Sequence, residues 1–325
     1  MHLTAIGGAG STISNVKDYA KWAYSLINRL PPLSPAQHHA IMTPRSMVPH
    51  EDNPMIFDPL PFTGPNLYSL GWDQTIYRGE LIIGHDGGLP GFGTKLLMIP
   101  SRNWGVVLMG NTAGTSNMAE MILSYELIDS LLEVPKEERY NWTAALKKGQ
   151  ALQKVFLDKA REQLFPEVPS PPLPHALRIQ DYAGTYWHPA YASFNITARA
   201  YFTHDPDQLH DPSAYERESK YVEYLHAEPS YRPWNFTGNL YHVSRDYFLL
   251  DAISPWPHGT NITKCDGLSE DGEIDGRGAA RFQIGPDGKV QKLGVLLEQE
   301  MIVKALKEGK KLVDDSAMMW FEKTA

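Results

Sequence analysis

The stretch Leu81-Ile-Ile-Gly-His-Asp-Gly-Gly-Leu-Pro-Gly-Phe-Gly93 decides how the first half of the chain is read. A short apolar run, Leu81 to Ile83, gives way to glycine at 84, 87, 88, 91 and 93. That is a strand running into a glycine-rich turn. The runs Thr94 to Pro100 and Gly105 to Asn111 extend it as a two-stranded meander. Glycine inside a strand marks a bulge or a place where another group approaches the backbone closely. One histidine, His85, and one carboxylate, Asp86, stand in the middle of the run.

Such a segment suits the cradling of negative charge. Acyl transfer puts charge on a carbonyl oxygen, and a site must present N–H donors where that charge forms. A strand edge bare of side chains at Gly87, Gly88 and Gly91 can bring a backbone N–H to that oxygen. His85 adds a group that can orient a carboxylate or move a proton. A phosphate loop is excluded. Gly88 to Lys95 nearly matches Gly-x4-Gly-Lys-Ser/Thr, but Thr94 precedes Lys95, and Pro90 has no N–H to offer.

Composition narrows the class. At 325 residues, one large or two medium domains are expected. Hydrophobic content of 42% and charged content of 21% fit a soluble globular protein. The net charge is -8 and no Lys/Arg run occurs, which argues against nucleic acid as a partner. No apolar run reaches the roughly 18 residues of a membrane span. Met1 to Ile6 lacks the basic end and long apolar run of a signal peptide. Cys265 is the single cysteine, so an internal disulfide and a cysteine-based zinc site are excluded. His204, Asp205, Asp207, His210 and Asp211 match no ligand spacing and read as a solvated loop. No metal and no cofactor is expected. Four Asn-x-Thr sequons, at Asn141, Asn195, Asn235 and Asn261, favour surface glycosylation in a secretory protein.

Residues 11–30 read as a helix with Ser14 as N-cap and Val16, Tyr19, Ala20, Ala23, Leu26 and Ile27 on its buried face. Ser34-Pro35-Ala36-Gln37 is a capping box with proline at the first helical position. Residues 45–67, rich in Pro, Asn and Asp, read as a long loop. Tyr68–Ile76 and Glu80–Ile83 form a hairpin around Arg78-Gly79. Two helices follow. One, about 117–132, buries Met118, Met121, Ile122, Tyr125, Ile128 and Leu132. The other, about 142–164, carries Leu152, Val155, Phe156, Ala160 and Leu164 on one side. The proline-rich run 166–174 is a semi-rigid spacer and the expected boundary between domains 1–165 and 175–325. Beyond it, short strands at Tyr182–Trp187, Ala192–Thr197, Tyr241–Leu250 and Ala280–Ile284, then Val290 to Leu297 after the Gly285–Gly288 turn, imply an antiparallel sheet or small barrel.

Three segments in order resemble the serine β-lactamase-related family, which includes class C β-lactamases, family VIII esterases and penicillin-binding-protein-like hydrolases. They are Gly7-Gly-Ala-Gly-Ser-Thr12 with Asp18-Tyr-Ala20, then Tyr68-Ser-Leu-Gly-Trp72, then Gly84-His-Asp-Gly-Gly-Leu-Pro-Gly91. Asp181-Tyr-Ala-Gly-Thr-Tyr186 with His188-Pro189 resembles the lipocalin-like β-domain appended to some members. The resemblance implies an α+β fold, with a partial β-lactamase/transpeptidase-like domain of antiparallel sheet and helices followed by a small antiparallel β-barrel-like domain. It implies that His85 replaces the lysine of the Lys-Thr-Gly motif, that Asp86 replaces its threonine, that Gly88 gives the second oxyanion-hole N–H, and that Gly87 belongs to the same catalytic segment. Asp86 and Gly91 are then placed against a small ester, amide or peptide substrate.

The same resemblance implies a nucleophile in Ser-x-x-Lys and a Tyr-x-Asn motif upstream. Ser14-Asn-Val-Lys17 fits the first formally, but its neighbours place it in a later helix of the family. Tyr191-Ala-Ser193 lies beyond the linker. The expectation is therefore the C-terminal portion of a longer serine hydrolase, inactive alone and completed by a missing N-terminal segment or a dimer partner. Such a chain is expected to expose apolar surface. The alternative is a non-catalytic pseudoenzyme or binding protein. The full-length protein is expected to be secreted if it carries a signal peptide and cytoplasmic otherwise.

Overall fold

The computed structural model describes residues 7–48, 61–89, 91–112, 115–202, 221–230, 236–255, 272–297, 302 and 318–324. Asn235, Asn261, Cys265 and the run from His204 to Asp211 lie outside the described residues. The chain divides into two compact units, His2–Gln153 and Lys154–Ala325, and the division falls ahead of the proline-rich run.

The first unit is built on a six-stranded antiparallel sheet whose strands lie in chain order. They are β1 (Ser46–Val48), β2 (Asn66–Tyr68), β3 (Asp73–Tyr77), β4 (Glu80–Leu89), β5 (Phe92–Ile99) and β6 (Trp104–Gly110). Arg78 and Gly79 both take positive φ, 50° and 81°, as a two-residue hairpin turn requires. The expected strand from Tyr68 to Ile76 is instead two strands. Gly71, at φ 79°, turns the chain, and Ser69 N donates to Trp72 O at 2.8 Å. Gln74 Nε2 pins this turn by donating to Ser69 Oγ at 2.6 Å and to Met42 O at 2.5 Å.

A short turn of helix, α1 (Gly7–Gly10), precedes α2 (Val16–Asn28). The cap of α2 is Asn15 rather than Ser14: Asn15 Oδ1 accepts from Lys17 N at 3.0 Å and Asp18 N at 3.1 Å. The shorter asparagine-centred turn wins because one residue satisfies two orphan amides. The α3 helix (Pro35–Met42) has the full capping box at Ser34 and Gln37. Ala23 and Leu26 of α2 pack with Trp72, Ile83, Leu96 and Met98 on one face of the sheet. On the other face, Tyr77, Ile82, Leu97 and Ile99 pack with Tyr125, Ile128 and Trp142. Tyr125 and Ile128 come from α4 (Thr115–Leu131), and Trp142 begins α5 (Trp142–Leu164). This unit leaves Ile13, Tyr24, Met47, Phe92, Leu123 and Leu127 exposed.

The second unit is a closed antiparallel barrel of eight strands, each paired with its neighbour in sequence. They are β7 (Gly184–His188), β8 (Ala192–Phe202), β9 (Tyr221–Pro229), β10 (Thr237–Ser244), β11 (Tyr247–Pro255), β12 (Gly272–Ile284), β13 (Val290–Leu296) and β14 (Met319–Lys323). β14 closes the ring on β7. The run expected as one strand from Tyr241 to Leu250 is a hairpin, because Arg245 takes φ 50° and turns it. Alternation puts Tyr186, Leu225, Leu240, Phe248, Phe282, Leu293 and Phe321 in the lumen. Val243, Leu249, Ala279 and Leu296 point outward, where Ala160, Leu164 and Phe165 cover them. Val155, expected on the buried side of α5, is 46% exposed.

A buried ion pair ties α5 to the barrel wall. Arg277 Nε meets Asp251 Oδ1 at 2.9 Å, and Arg277 Nη1 donates to Leu157 O at 2.6 Å. Burial pushes the Asp251 carboxyl up and Arg277 pulls it back. Arg277→Met leaves that carboxylate without its cation in a site 2% exposed. The expected cost is about 3–5 kcal/mol, read as a lowered urea midpoint. Adding Asp251→Asn should recover part of it.

Candidate acyl-transfer site

The site residues sit where two antiparallel ladders part company. β3 pairs with β4 from Tyr77–Glu80 to Asp73–Gly84. β5 pairs with β4 from Ile83–Met98 to Leu89–Phe92, with no register shift. β4 therefore runs five residues past the last one that β3 covers, and among the described residues no strand pairs with that edge.

The direction of the uncovered groups follows from alternation. A two-residue turn closes on a hydrogen-bonded pair, here Tyr77–Glu80. Residues 80, 82 and 84 of β4 thus address β3, and 83, 85, 87 and 89 address β5. Asp86 and Gly88 follow in the first series. Their N–H and C=O groups point out of the sheet on the side that β3 has left. His85, Asp86 and Gly88 are all exposed. Gly91, at φ 90°, lies in the hairpin that ends the strand.

Polar side chains hold this rim. Tyr68 stands at the end of β2, and its hydroxyl is 3.1 Å from His85 Nε2. His85 Nδ1 is 2.6 Å from Asp86 O. Asp86 and Lys95 face each other across a non-hydrogen-bonded pair, where side chains lie closest. Lys95 Nζ, 7% exposed, meets Asp86 Oδ1 at 2.6 Å. The Asp86 carboxylate is thus engaged, although it was expected to face substrate. Asn117 of α4 donates from Nδ2 to Gly87 O at 2.8 Å.

The glycines have steric work to do. A Cβ at Gly87 would fall 2.3 Å from Thr94 Oγ1. One at Gly93 would fall 2.6 Å from Ser116 Oγ, and one at Gly110 only 2.2 Å from Ser116 Cβ. Gly93 and Gly110 pair across β5 and β6 and form a floor for the first turns of α4. The face expected of α4 does meet the core, with Tyr125 and Ile128 buried and Met121, Ile122 and Leu132 packed against them, and the glycine floor adds a polar strip beside it. Ser116, Glu120, Ser124 and Asp129 are buried beside Tyr125 and Ile128, while Met118, Met121 and Ile122 are only half-buried.

Two carboxyls near the rim are shifted upward. Burial raises the Asp73 pKa, and the nearby charge of His85 opposes the shift. Burial also raises that of Glu120, which is 4% exposed and whose oxygens have no partner in hydrogen-bonding geometry, though the Gly110 amide draws it back a little. Among the described residues, no group of three His, Cys, Asp or Glu side chains could hold a metal ion. Ser14 is exposed, and its hydroxyl is 3.5 Å from Asn15 O. Asn141 and Asn195 are exposed, with Asn141 Oδ1 accepting from Ala144 N and Asn195 Oδ1 accepting from Thr185 Oγ1.

Residues 2–128 match the family model described as Beta-lactamase. The chain is β-lactamase-related. It is 34% identical over 297 residues to the unguisins hydrolase ungD' of Aspergillus campestris, a match over 91% of this chain and 47% of that protein. It is 37% identical over 210 residues to the unguisins hydrolase ungD of Aspergillus violaceofuscus, over 60% of this chain and 36% of that protein. The chain thus spans at most about half the length of these curated relatives. Among solved structures it overlays on an octameric penicillin-binding protein homologue from Pyrococcus abyssi with 18% identity and a TM-score of 0.32, covering 88% of this chain and 46% of that one. No described helix of this β-lactamase-related chain is long and apolar enough to cross a membrane.

Of the residues picked from sequence, His85, Asp86, Gly87 and Gly88 are brought together on one uncovered edge. Tyr68 was visible only as part of a motif. Lys95, Asn117 and Glu120 gave no local signal, since they reach the rim through pairing and through the glycine floor.

The orphaned Glu120 makes a test. Its folded pKa is raised, so the folded state prefers it protonated, and the charged form opposes folding above that pKa. Glu120→Gln should therefore be more stable than the parent at neutral pH, by about 1 kcal/mol or more. The gap should shrink as pH falls through the raised folded pKa and vanish below the ordinary carboxylate range. Urea titrations at several pH values read it directly. A gap that widens on acidification contradicts the assignment.

Proposed function

We propose that this chain is a portion of a serine hydrolase that transfers acyl groups from esters, amides or peptides. It supplies the oxyanion side of the site, while the Ser-x-x-Lys nucleophile and the Tyr-x-Asn group come from polypeptide outside these 325 residues. The observation that carries this reading is the edge of β4, where the Gly88 N–H points away from β5 on a side that no strand among the described residues pairs with. The Asp86–Lys95 pair and the Asn117 bond to Gly87 O hold that edge in place. Because the two Aspergillus relatives are called unguisins hydrolases, an unguisin is the substrate to test first.

In this reading the chain alone does not turn over. The exposed sequons Asn141 and Asn195 support passage of the whole protein through the secretory pathway. The exposed Ile13, Tyr24, Leu123 and Leu127 support a further segment or partner covering this unit. A fluorophosphonate probe should label no serine in the chain by itself. Hydrolysis should appear when the upstream part of a curated relative, carrying Ser-x-x-Lys, is supplied in trans or by fusion. In that complemented protein, Gly88→Pro removes the edge N–H and should lower kcat about 100- to 1000-fold. A serine labelled within these residues, or complemented turnover indifferent to Gly88→Pro, would overturn the proposal.

A further inference from the structure

The barrel lumen is filled unevenly. At the end where β7 begins, Tyr182, Tyr186, Phe248 and Phe282 meet edge to face, with centroids 5.0–5.7 Å apart. Such contacts close that end with large, well-packed rings. Towards the other end the side chains shrink. Ala227, Gly238 and Ala252 lie in one register row across β9, β10 and β11. The row continues to Gly276 of β12, where a Cβ would meet nothing within 4 Å. Alternation turns Ala227 into the lumen together with Leu240 and Leu250 of the neighbouring row.

The side-chain volume missing from this row leaves a cavity of about 50 Å³, lined by the three small residues and by Leu240 and Leu250. Phe194 and Phe236, with ring centroids 6.1 Å apart, line it as well. These two rings and Ala252 are only half-buried, which gives the cavity a way to solvent. Among the described residues, no polar atom is exposed to it. A water inside would need about two to four polar partners and finds none in this wall. The cavity therefore favours hydrocarbon over water. One water needs about 10–15 Å³ of such space, so about four non-hydrogen atoms fit.

We propose that the barrel is a binding site for a branched aliphatic group of about four carbons, carried by a molecule whose polar part stays at the mouth. A small branched alcohol and the leucine-type side chain of a peptide present the same group. Recognition is by shape alone, since the wall offers no hydrogen bond, and the aromatic plug stops a longer chain from reaching further. The site lies wholly in the second unit, and the proposal does not rest on the acyl-transfer reading.

The test uses the full chain with 13C-labelled Ala, Ile, Leu and Val methyls, titrated with ethanol, propan-1-ol, 3-methylbutan-1-ol and hexan-1-ol. The methyls of Ala227 and Leu250 should shift saturably. Affinity should rise about fourfold per methylene up to 3-methylbutan-1-ol and gain nothing with hexan-1-ol. N-acetyl-leucinamide separates the two sources: its binding admits a peptide side chain, and binding of the alcohol alone restricts the site to free small molecules. Ala252→Leu fills the space and should weaken binding about tenfold or more, with the urea midpoint at or above the parent's. If that variant folds poorly, Ala227→Val gives the same reading. The proposal is overturned by a parent protein that shows no saturable shift, or by equal shifts at Ile82 and Leu97 of the first unit. Undiminished binding in a folded filling variant overturns it too, as does a continued gain with hexan-1-ol.

Discussion

The first unit depends on a mismatch of strand lengths. β4 has ten residues and β3 has five, and they share one tight turn. Among the described residues, the part of β4 past Gly84 therefore pairs with no strand but β5. An antiparallel strand with one neighbour offers alternate residues to open space, and in this strand those residues are Asp86 and Gly88. The mismatch is produced by Gly71 and the Ser69–Trp72 turn, which send the chain off to β2 where β3 could have continued. Gln74 locks that departure. A longer β3 would satisfy more backbone groups and would also close the site.

An uncovered edge is a liability unless something keeps it from collapsing or pairing at random. The restraint comes from behind. Lys95 is almost fully buried, which is costly for a cation without a counter-charge, and Asp86 provides it. Because Asp86 sits on the exposed strand, the need to neutralise Lys95 also fixes the rim. Asn117 acts at the next residue through the carbonyl of Gly87. The Asn117 contact requires α4 to come close, and Gly93 and Gly110 permit that approach by presenting bare backbone to Ser116. The glycines here serve the packing of a helix as much as the approach of a ligand.

Much of this could be read in the sequence wherever local rules decide. The Ser34–Gln37 capping box, the Arg78-Gly79 turn and the limits of α5 depend on a few adjacent residues, and they stand as expected. The antiparallel barrel followed from alternation and turn residues, and the α+β class from the family resemblance. What was not legible depended on distant partners. Met121 and Ile122 pack against the core as their spacing suggests, but the burial of Ser116, Glu120 and Ser124 beside them depends on the glycine floor beneath α4. Ser14 is as good a cap as Asn15 by type, but the asparagine oxygen reaches two amides. β9 and β14 carry polar residues at many positions and are strands because the barrel needs them to close.

The histidine gains its meaning from the same geometry. A lysine at position 85 would put a permanent charge at the open edge and could only donate. Histidine can be neutral, and its two nitrogens are answered differently, one by a carbonyl that fixes a hydrogen and one by a hydroxyl that can donate or accept. The carbonyl is available because Asp86 points its backbone to the open side, and the hydroxyl is within reach because β2 ends at Tyr68, opposite the first residue of β3. The late start of β3, at Asp73, leaves Gly88 without a strand partner on that side among the described residues and also lets Tyr68 reach Nε2.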